Sequence, residues 1–287
     1  MDKMIRGTAE DGTVRAIAVQ CTGVIEELRR RQDTWPTATA AMGRAAAAGL
    51  MIGGLMKGEE NVTIRIQGDG PIGQIVVDAN AHGEVRAYVD HPHVDLDPNA
   101  LGKFDVAGAV GTQGYLYVIK DLRMREPYRG SVPIVSGELG EDFTYYFAKS
   151  EQTPSAVALG VLINPDETIR AAGGFIIQLL PGLSDERIAE IEKHLSQVRP
   201  ITELLDRGES LEQIVKQIVP TFQVLGEQEV RFQCRCSRER VEGMLRSLGK
   251  EELESMRRED DGAEVICHFC NEPHRFTGDE LAELAKS

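Results

Sequence analysis

Cysteine is scarce in this chain: five in 287 residues are too few for the disulfide framework of a secreted scaffold. Clustered positive charge is also missing. The formal net charge is −14, which argues against the broad basic surface that binds nucleic acid. No Walker-type phosphate loop occurs. The segment "GDGPIG" (68–73) is rich in glycine but lacks the following Lys-Ser/Thr pair, so it reads as a turn and ATP use is not expected. The opening "MDKMIRGTAEDG" is charged and has no apolar core segment, unlike a secretory leader. Internal repeats and low-complexity tracts are absent. A cytoplasmic protein with reduced thiols is the expectation. One run, "TATAAMGRAAAAGLMIGGLMKG" (37–58), approaches the length of a membrane span, but Arg44 lies near its middle. A mid-span arginine is costly in lipid, so the run reads as a buried helix of a soluble core, with no membrane partner.

The patterning that is present falls into three textures. In residues 1–181, "TVRAIAVQCT" (13–22) alternates like a strand and "GVIEELRRRQ" (23–32) switches to helical spacing. Pro36 opens the Ala-rich helix, where its missing N–H does no harm. "NVTIRIQG", "IGQIVVDAN" and "EVRAYVD" follow as an antiparallel meander with turns at "GDGP" and "AHG". "GYLYVIKDL" (114–122) adds a strand, and "DFTYYFAKS" (142–150) fits a helix as well as a strand. "AVALGVLI" and "IRAAGGFIIQLL" (156–163, 169–180) read as two central buried strands. In residues 182–222 the texture becomes short amphipathic helices broken by Pro200, Gly208 and Pro220. Ile188, Ile191 and Leu195 form one stripe. Leu211, Ile214, Val215 and Ile218 form another, behind a capping box of Ser210 and Gln213. Residues 231–287 read as a strand-like "EVRFQC", a helix ending at Gly249, a hairpin, and a last helix capped by Thr277 and Glu280. The expected fold is α+β: a mixed sheet-and-helix core domain (1–181), a helical linker (182–230) and a small zinc-binding domain (231–287).

Four of the five cysteines fall in that last part. Cys234 and Cys236 sit in "RFQCRCSRER"; Cys267 and Cys270 sit in "VICHFCNEP", with thirty residues between the pairs. Zinc takes four soft ligands in a tetrahedron, and a short spacer lets two sulfurs face one ion. In a reducing compartment four clustered thiols point to metal ligands rather than bridges, so one zinc per chain is expected. The plain alternative is a structural zinc that only staples a small module, and a module of this size needs a staple. The same chemistry permits a redox switch, because oxidation to disulfides destroys the ligands. Arg235, Arg238 and Arg240 lie beside the thiols and are expected to favour the thiolate.

Other candidates carry less. Cys21 ends an apolar strand and reads as an inert buried thiol. "DHPHVDLD" (90–97) offers His91, His93, Asp95 and Asp97, but Pro92 and Pro98 make it look like an ordinary polar loop. His268 and His274 flank the second cysteine pair and are expected outside the ligand set.

With these residues in view, the chain resembles the bacterial redox-regulated heat-shock holdases, the HslO family. The most specific piece is "CRC", the thirty-residue gap and "CHFC"; "LMKGEENVTIRIQGDGPIG" and "YYFAKSEQTPSAVALGV" also match. The resemblance implies an ATP-independent chaperone, not an enzyme, and no catalytic residue. It implies an inactive zinc-bound form, and an oxidised form with bridges Cys234–Cys236 and Cys267–Cys270 that binds unfolding client proteins and assembles as a homodimer. Two rivals come from other classes. A zinc-ribbon nucleic-acid or transcription-related module is opposed by the tail charge of −3, from ten Lys+Arg and thirteen Asp+Glu in residues 231–287. A zinc hydrolase is opposed because four thiolates leave no position for water.

Overall fold

The Ala- and Gly-rich run forms one helix, Pro36–Gly54, in which every residue except Pro36 and Arg44 is buried. The structure, a computed structural model, describes residues 1–286, and the chain divides into two compact units, Met1–Gln233 and Cys234–Ser287. The first unit runs β1 (Lys3–Ala9), β2 (Val14–Gln20), α1 (Thr22–Gln32), α2 (Pro36–Gly54), β3 (Asn61–Gln67), β4 (Gln74–Asn80), β5 (Glu84–Val89) and α3 (Val106–Val110). It continues through β6 (Tyr115–Asp121), β7 (Tyr128–Pro133), α4 (Gly140–Lys149), β8 (Ser155–Ile163), β9 (Ile169–Leu179), α5 (Asp185–Gln197), α6 (Ile201–Asp206), α7 (Leu211–Ile218), β10 (Gln223–Glu229) and β11 (Arg231–Phe232). The second unit holds α8 (Arg238–Leu248), α9 (Lys250–Asp260), β12 (Gly262–Ile266), β13 (Pro273–Thr277) and α10 (Gly278–Leu284). The fold is α+β, as the patterning predicts.

Two sheets share α2 as a common core. One has the order β10-β1-β2-β9-β8 and the other β11-β5-β4-β3-β6-β7. All neighbours are antiparallel except β11 and β5. Glycine sets the close approach. A Cβ on Gly43 would lie 2.8 Å from Val161 of β8, and one on Gly49 would lie 2.7 Å from Val77 of β4. Small residues on both sides thus let one helix pack tightly between two sheets. Arg44 pairs with Glu138 at 2.6 Å, which satisfies the charge within this apolar helix. Among the described residues no helix is long and apolar enough to cross a membrane.

The six-stranded sheet shows the period-2 pattern of a sheet with one buried face. Val62, Ile64 and Ile66 of β3 and Ile75, Val77 and Ala79 of β4 join the core with α2. On the other face Asp78 binds Arg86 at 2.7 Å and accepts from Thr63. The five-stranded sheet is covered on both faces. Ile17, Val19, Ala172 and Ile176 face α2, whereas Val14, Ala16, Ala18, Phe175 and Ile177 face a second core. That second core contains Ile191 of α5, Ile201, Leu204 and Leu205 of α6, and Leu211, Ile214, Val215 and Ile218 of α7. The capping box of Ser210 and Gln213 starts α7 as the sequence predicts. The α7 stripe is wholly buried. The α5 stripe is covered only at Ile191, with Ile188 and Leu195 half-buried.

The structure decides one open sequence reading, corrects a second and bears out a third. Segment 142–150 is a helix, because Phe143, Tyr146 and Phe147 fall on one buried face. β8 is an edge strand rather than a central one; only β9 of that pair has neighbours on both sides. The segment "HPHVDLD" is structural: Asp95 accepts from the Thr37 N–H and hydroxyl at the start of α2, and His93 bonds Asp33 and stacks on Trp35.

Candidate metal centre

The second unit is built around a small core. Leu245, Leu253, Phe276, Leu281 and Leu284 are its buried apolar side chains. Arg238 adds to it by stacking its guanidinium 4.3 Å from the Phe276 ring centre while pairing with Glu280. The Thr277–Glu280 capping box starts α10 as expected. β12 and β13 pair antiparallel from Gly262–Thr277 to Ile266–Pro273. The turn beyond them is closed by the Cys267 N–H donating to Glu272 and the Asn271 N–H donating to Cys267. Asn271 takes the left-handed conformation that the tight turn requires. Cys267 and Cys270 thus project from a knuckle. Cys234 and Cys236 precede Ser237, whose side chain accepts from the Arg240 N–H and starts α8.

The four sulfurs, Cys234, Cys236, Cys267 and Cys270, all lie within 4.8 Å of one another. Cys234 and Cys267 are 3.7 Å apart, and Cys236 and Cys270 are 3.3 Å apart. A tetrahedral zinc with Zn–S bonds of ~2.3 Å places its sulfurs ~3.8 Å from each other, so the donor set fits in number, chemistry and spacing. All five cysteines are free thiols. Among the described residues this is the one group of His, Cys, Asp or Glu with such convergence. His91, His93, Asp95 and Asp97 do not converge, and His268 and His274 stand outside the ligand group. The His274 Nε2 is buried without a partner.

Acidity in the cluster is uneven. Burial pushes the Cys234 thiol up, but the Cys236 N–H and the neighbouring thiols outweigh it and bring Cys234 down to about 7. Cys236 is pushed up to about 11, first by burial and then by the charge developing on Cys234. Cys270 is also raised, chiefly by burial. One thiolate therefore forms readily and resists the next, as expected for like charges sharing one site. A divalent cation removes that conflict. The arginines have another role than the sequence suggests. None is among the main influences on Cys234; Arg238 is held by Glu280 and Phe276, and Arg240 donates to the Arg235 carbonyl. Cys21 is not one of the four and is fully buried. Burial drives its thiol far above the usual range, in agreement with the inert reading.

Sequence reasoning missed α9 and its anchor Leu253. Only this residue of α9 is buried, so the helix carries no stripe to detect.

A family model described as Hsp33 protein matches residues 2–277. A 33 kDa chaperonin of Bacillus velezensis is 54% identical over 99% of this chain and 98% of its own length. A 33 kDa chaperonin of Bacillus subtilis is 53% identical with the same coverage. The crystal structure of a 33 kDa chaperonin, a heat shock protein 33 homologue from Thermotoga maritima, superposes with a TM-score of 0.92. That relative is 38% identical over 99% of this chain and 98% of its own. The chain belongs to the Hsp33 family.

Proposed function

We propose that this protein is an ATP-independent holdase, switched on by oxidation, that binds unfolding proteins in the cytoplasm during oxidative stress. It has no catalytic role in this reading. The observation that carries it is the meeting of four thiols within 4.8 Å in a unit with five buried apolar side chains. A core that small does not hold a fold by itself. Zinc on Cys234, Cys236, Cys267 and Cys270 would supply on the order of 10–16 kcal/mol of folding free energy. These four thiols would bind the metal as thiolates, and they are also the groups an oxidant consumes. Each bridge, Cys234–Cys236 or Cys267–Cys270, forms as two thiolates give up two electrons. With hydrogen peroxide as oxidant, one peroxide takes those electrons and, with two protons, leaves as two waters. A disulfide is a poor ligand, so the site opens and the small unit unfolds.

Segment 182–230 acts as the linker. Its α6 and α7 side chains now share one core with Val14, Ala16, Phe175 and Ile177, and loosening them would uncover apolar surface on both partners. Apolar contact is non-directional and accepts many client sequences. The same surface favours a homodimer in the active form. The test is a peroxide titration that follows zinc release and suppression of client aggregation together. Rising protection as zinc leaves supports the reading. Two bridges formed with no gain in protection would reduce the zinc to a staple.

A further inference from the structure

Four strands form the edges of the two large sheets: β10, β8, β11 and β7. An open edge invites pairing with another chain, and proteins guard it with charge, proline, brevity or a bulge. Three of the four are guarded. β10 carries Glu227 and Glu229, and its pairing shifts register between Arg6 and Gly7. β7 carries Arg129 and Pro133, and β11 has only two residues. β8, "SAVALGVLI", is nine residues long with no charge and no proline. Its single register irregularity falls at its last pair, between Leu162 and Ile163.

The outward-facing main chain of β8 can be assigned. The Leu179 N–H donates to the Pro154 carbonyl. By the alternation of an antiparallel ladder, even-numbered residues of β8 turn their N–H and C=O toward β9, and odd-numbered ones turn outward. Val157 accordingly donates its N–H to Thr144 of α4 at 3.2 Å. Beyond Val157 that cover ends, and the outward groups of Leu159 and Val161 face a groove of about 570 Å³. Val157–Leu162 line it, together with Arg44, Phe104, Gly140 and Pro200–Thr202. Phe104 packs with the core on one face of the sheet, and Ile201 belongs to the core on the other. The edge is therefore recessed between two walls.

We propose that the β8 edge, at Leu159 and Val161, is a docking site for a single extended polypeptide strand, recognised through its main chain. This rests on the holdase reading and deepens it, since such a strand is what an unfolding client presents. The recess selects the occupant. One extended chain sits ~4.8 Å from its neighbour strand, whereas the edge of a second folded sheet brings layers that the walls exclude. The groove's charges balance, with Arg44 and Lys103 against Glu138 and Glu141, which suits a neutral main chain of any sequence. Val157, Leu159 and Ile163 on one face and Ala158 and Leu162 on the other are only partly buried. They offer apolar contact to alternate side chains of the guest.

The test uses the full-length protein, in the reduced form that holds the Pro200–Thr202 wall in place and in the oxidised form, with a fluorescent peptide of about eight alternating Val and Thr residues, a length chosen for strand addition. A second peptide is N-methylated on alternate residues, which removes donors from one edge and leaves the side chains unchanged. Binding of the first should slow amide exchange at Leu159 and Val161, and N-methylation should weaken it at least about tenfold. Leu159→Lys should weaken the first peptide similarly, and the methylated peptide keeps the test independent of that variant's folding. Binding without protection at Leu159 and Val161, and without an effect of methylation, would overturn this inference alone. If neither the peptide nor an unfolded protein binds, the holdase reading falls with it. Protection that grows with protein concentration in the absence of peptide would assign the edge to a second copy of the chain instead.

Discussion

The Cys236 and Cys270 sulfurs lie 3.3 Å apart across 34 positions of sequence. This contact and the Cys234–Cys267 contact at 3.7 Å join the segment before α8 to the hairpin knuckle. The reduced protein should carry one zinc per chain, and Cys267→Ala with Cys270→Ala should carry none. Since metal binding of this kind is worth on the order of 10–16 kcal/mol, the double variant should lose the helical signal of α8, α9 and α10. Metal analysis with far-ultraviolet circular dichroism checks both. Zinc retained at full stoichiometry would mean that the ligands lie elsewhere.

Oxidation should proceed in an order. With a metal bound all four sulfurs are thiolates, so the acidity differences of the free thiols no longer decide which pair reacts. Ring size does. One residue separates Cys234 from Cys236, and two separate Cys267 from Cys270. The larger ring closes with less strain, so Cys267–Cys270 should appear first and release the zinc, with Cys234–Cys236 following. Peptide mapping over a timed peroxide exposure decides it, and early Cys234–Cys236 refutes the strain argument.

Assembly should follow activation. The α7 stripe is buried in this structure, so it would become available for self-association only on loosening of segment 182–230. Sedimentation should show a larger dimer fraction after oxidation than before it. A dimer of equal strength in the reduced protein would place the interface on the core domain.

Weakening α7 should mimic part of the switch. Ile214 is fully buried against the five-stranded sheet. Ile214→Ala should cost about 2–5 kcal/mol of packing, as for other large-to-small core changes. It should also raise apolar dye binding while zinc is still bound. Unchanged dye fluorescence in a variant destabilised by that amount would show that α7 does not gate the apolar surface.

The features legible in the sequence were those with a strong local signal. The meander β3–β5 alternates because one face is wet and one dry. The capping boxes at Ser210 and Thr277 appear where the spacing places them. The cysteine cluster needed only residue type and spacing. What escaped depends on partners distant in sequence. β1 hides in a charged opening because its neighbours are β2 and β10, far apart in the chain. β8 reads as central because its apolar run is continuous, and only the sheet order reveals an edge. The arginines beside Cys234 suggest a charge effect that the Arg238 contacts with Glu280 and Phe276 redirect.

Cys21 supplies an internal reference for all of these experiments. It is fully buried, and burial, reinforced by Asp2, pushes its thiol far above the ordinary range. In the unfolded chain it titrates near ~8.5. The folded pKa is thus the higher one, so its contribution to stability is complete below the unfolded value and declines as pH rises above it. The decline approaches about 1.4 kcal/mol per pH unit for one such group. Between pH 8 and 10, urea unfolding followed by the single tryptophan, Trp35 in the first unit, should fall off more steeply for wild type than for Cys21→Ala. Parallel slopes would mean that the thiol ionises in place. Cys21 should also resist alkylation at pH 8 in both the reduced and the oxidised protein and react only in urea. Alkylation in the oxidised protein at the rate of a free thiol would show that activation opens the core around α2 as well as the small unit.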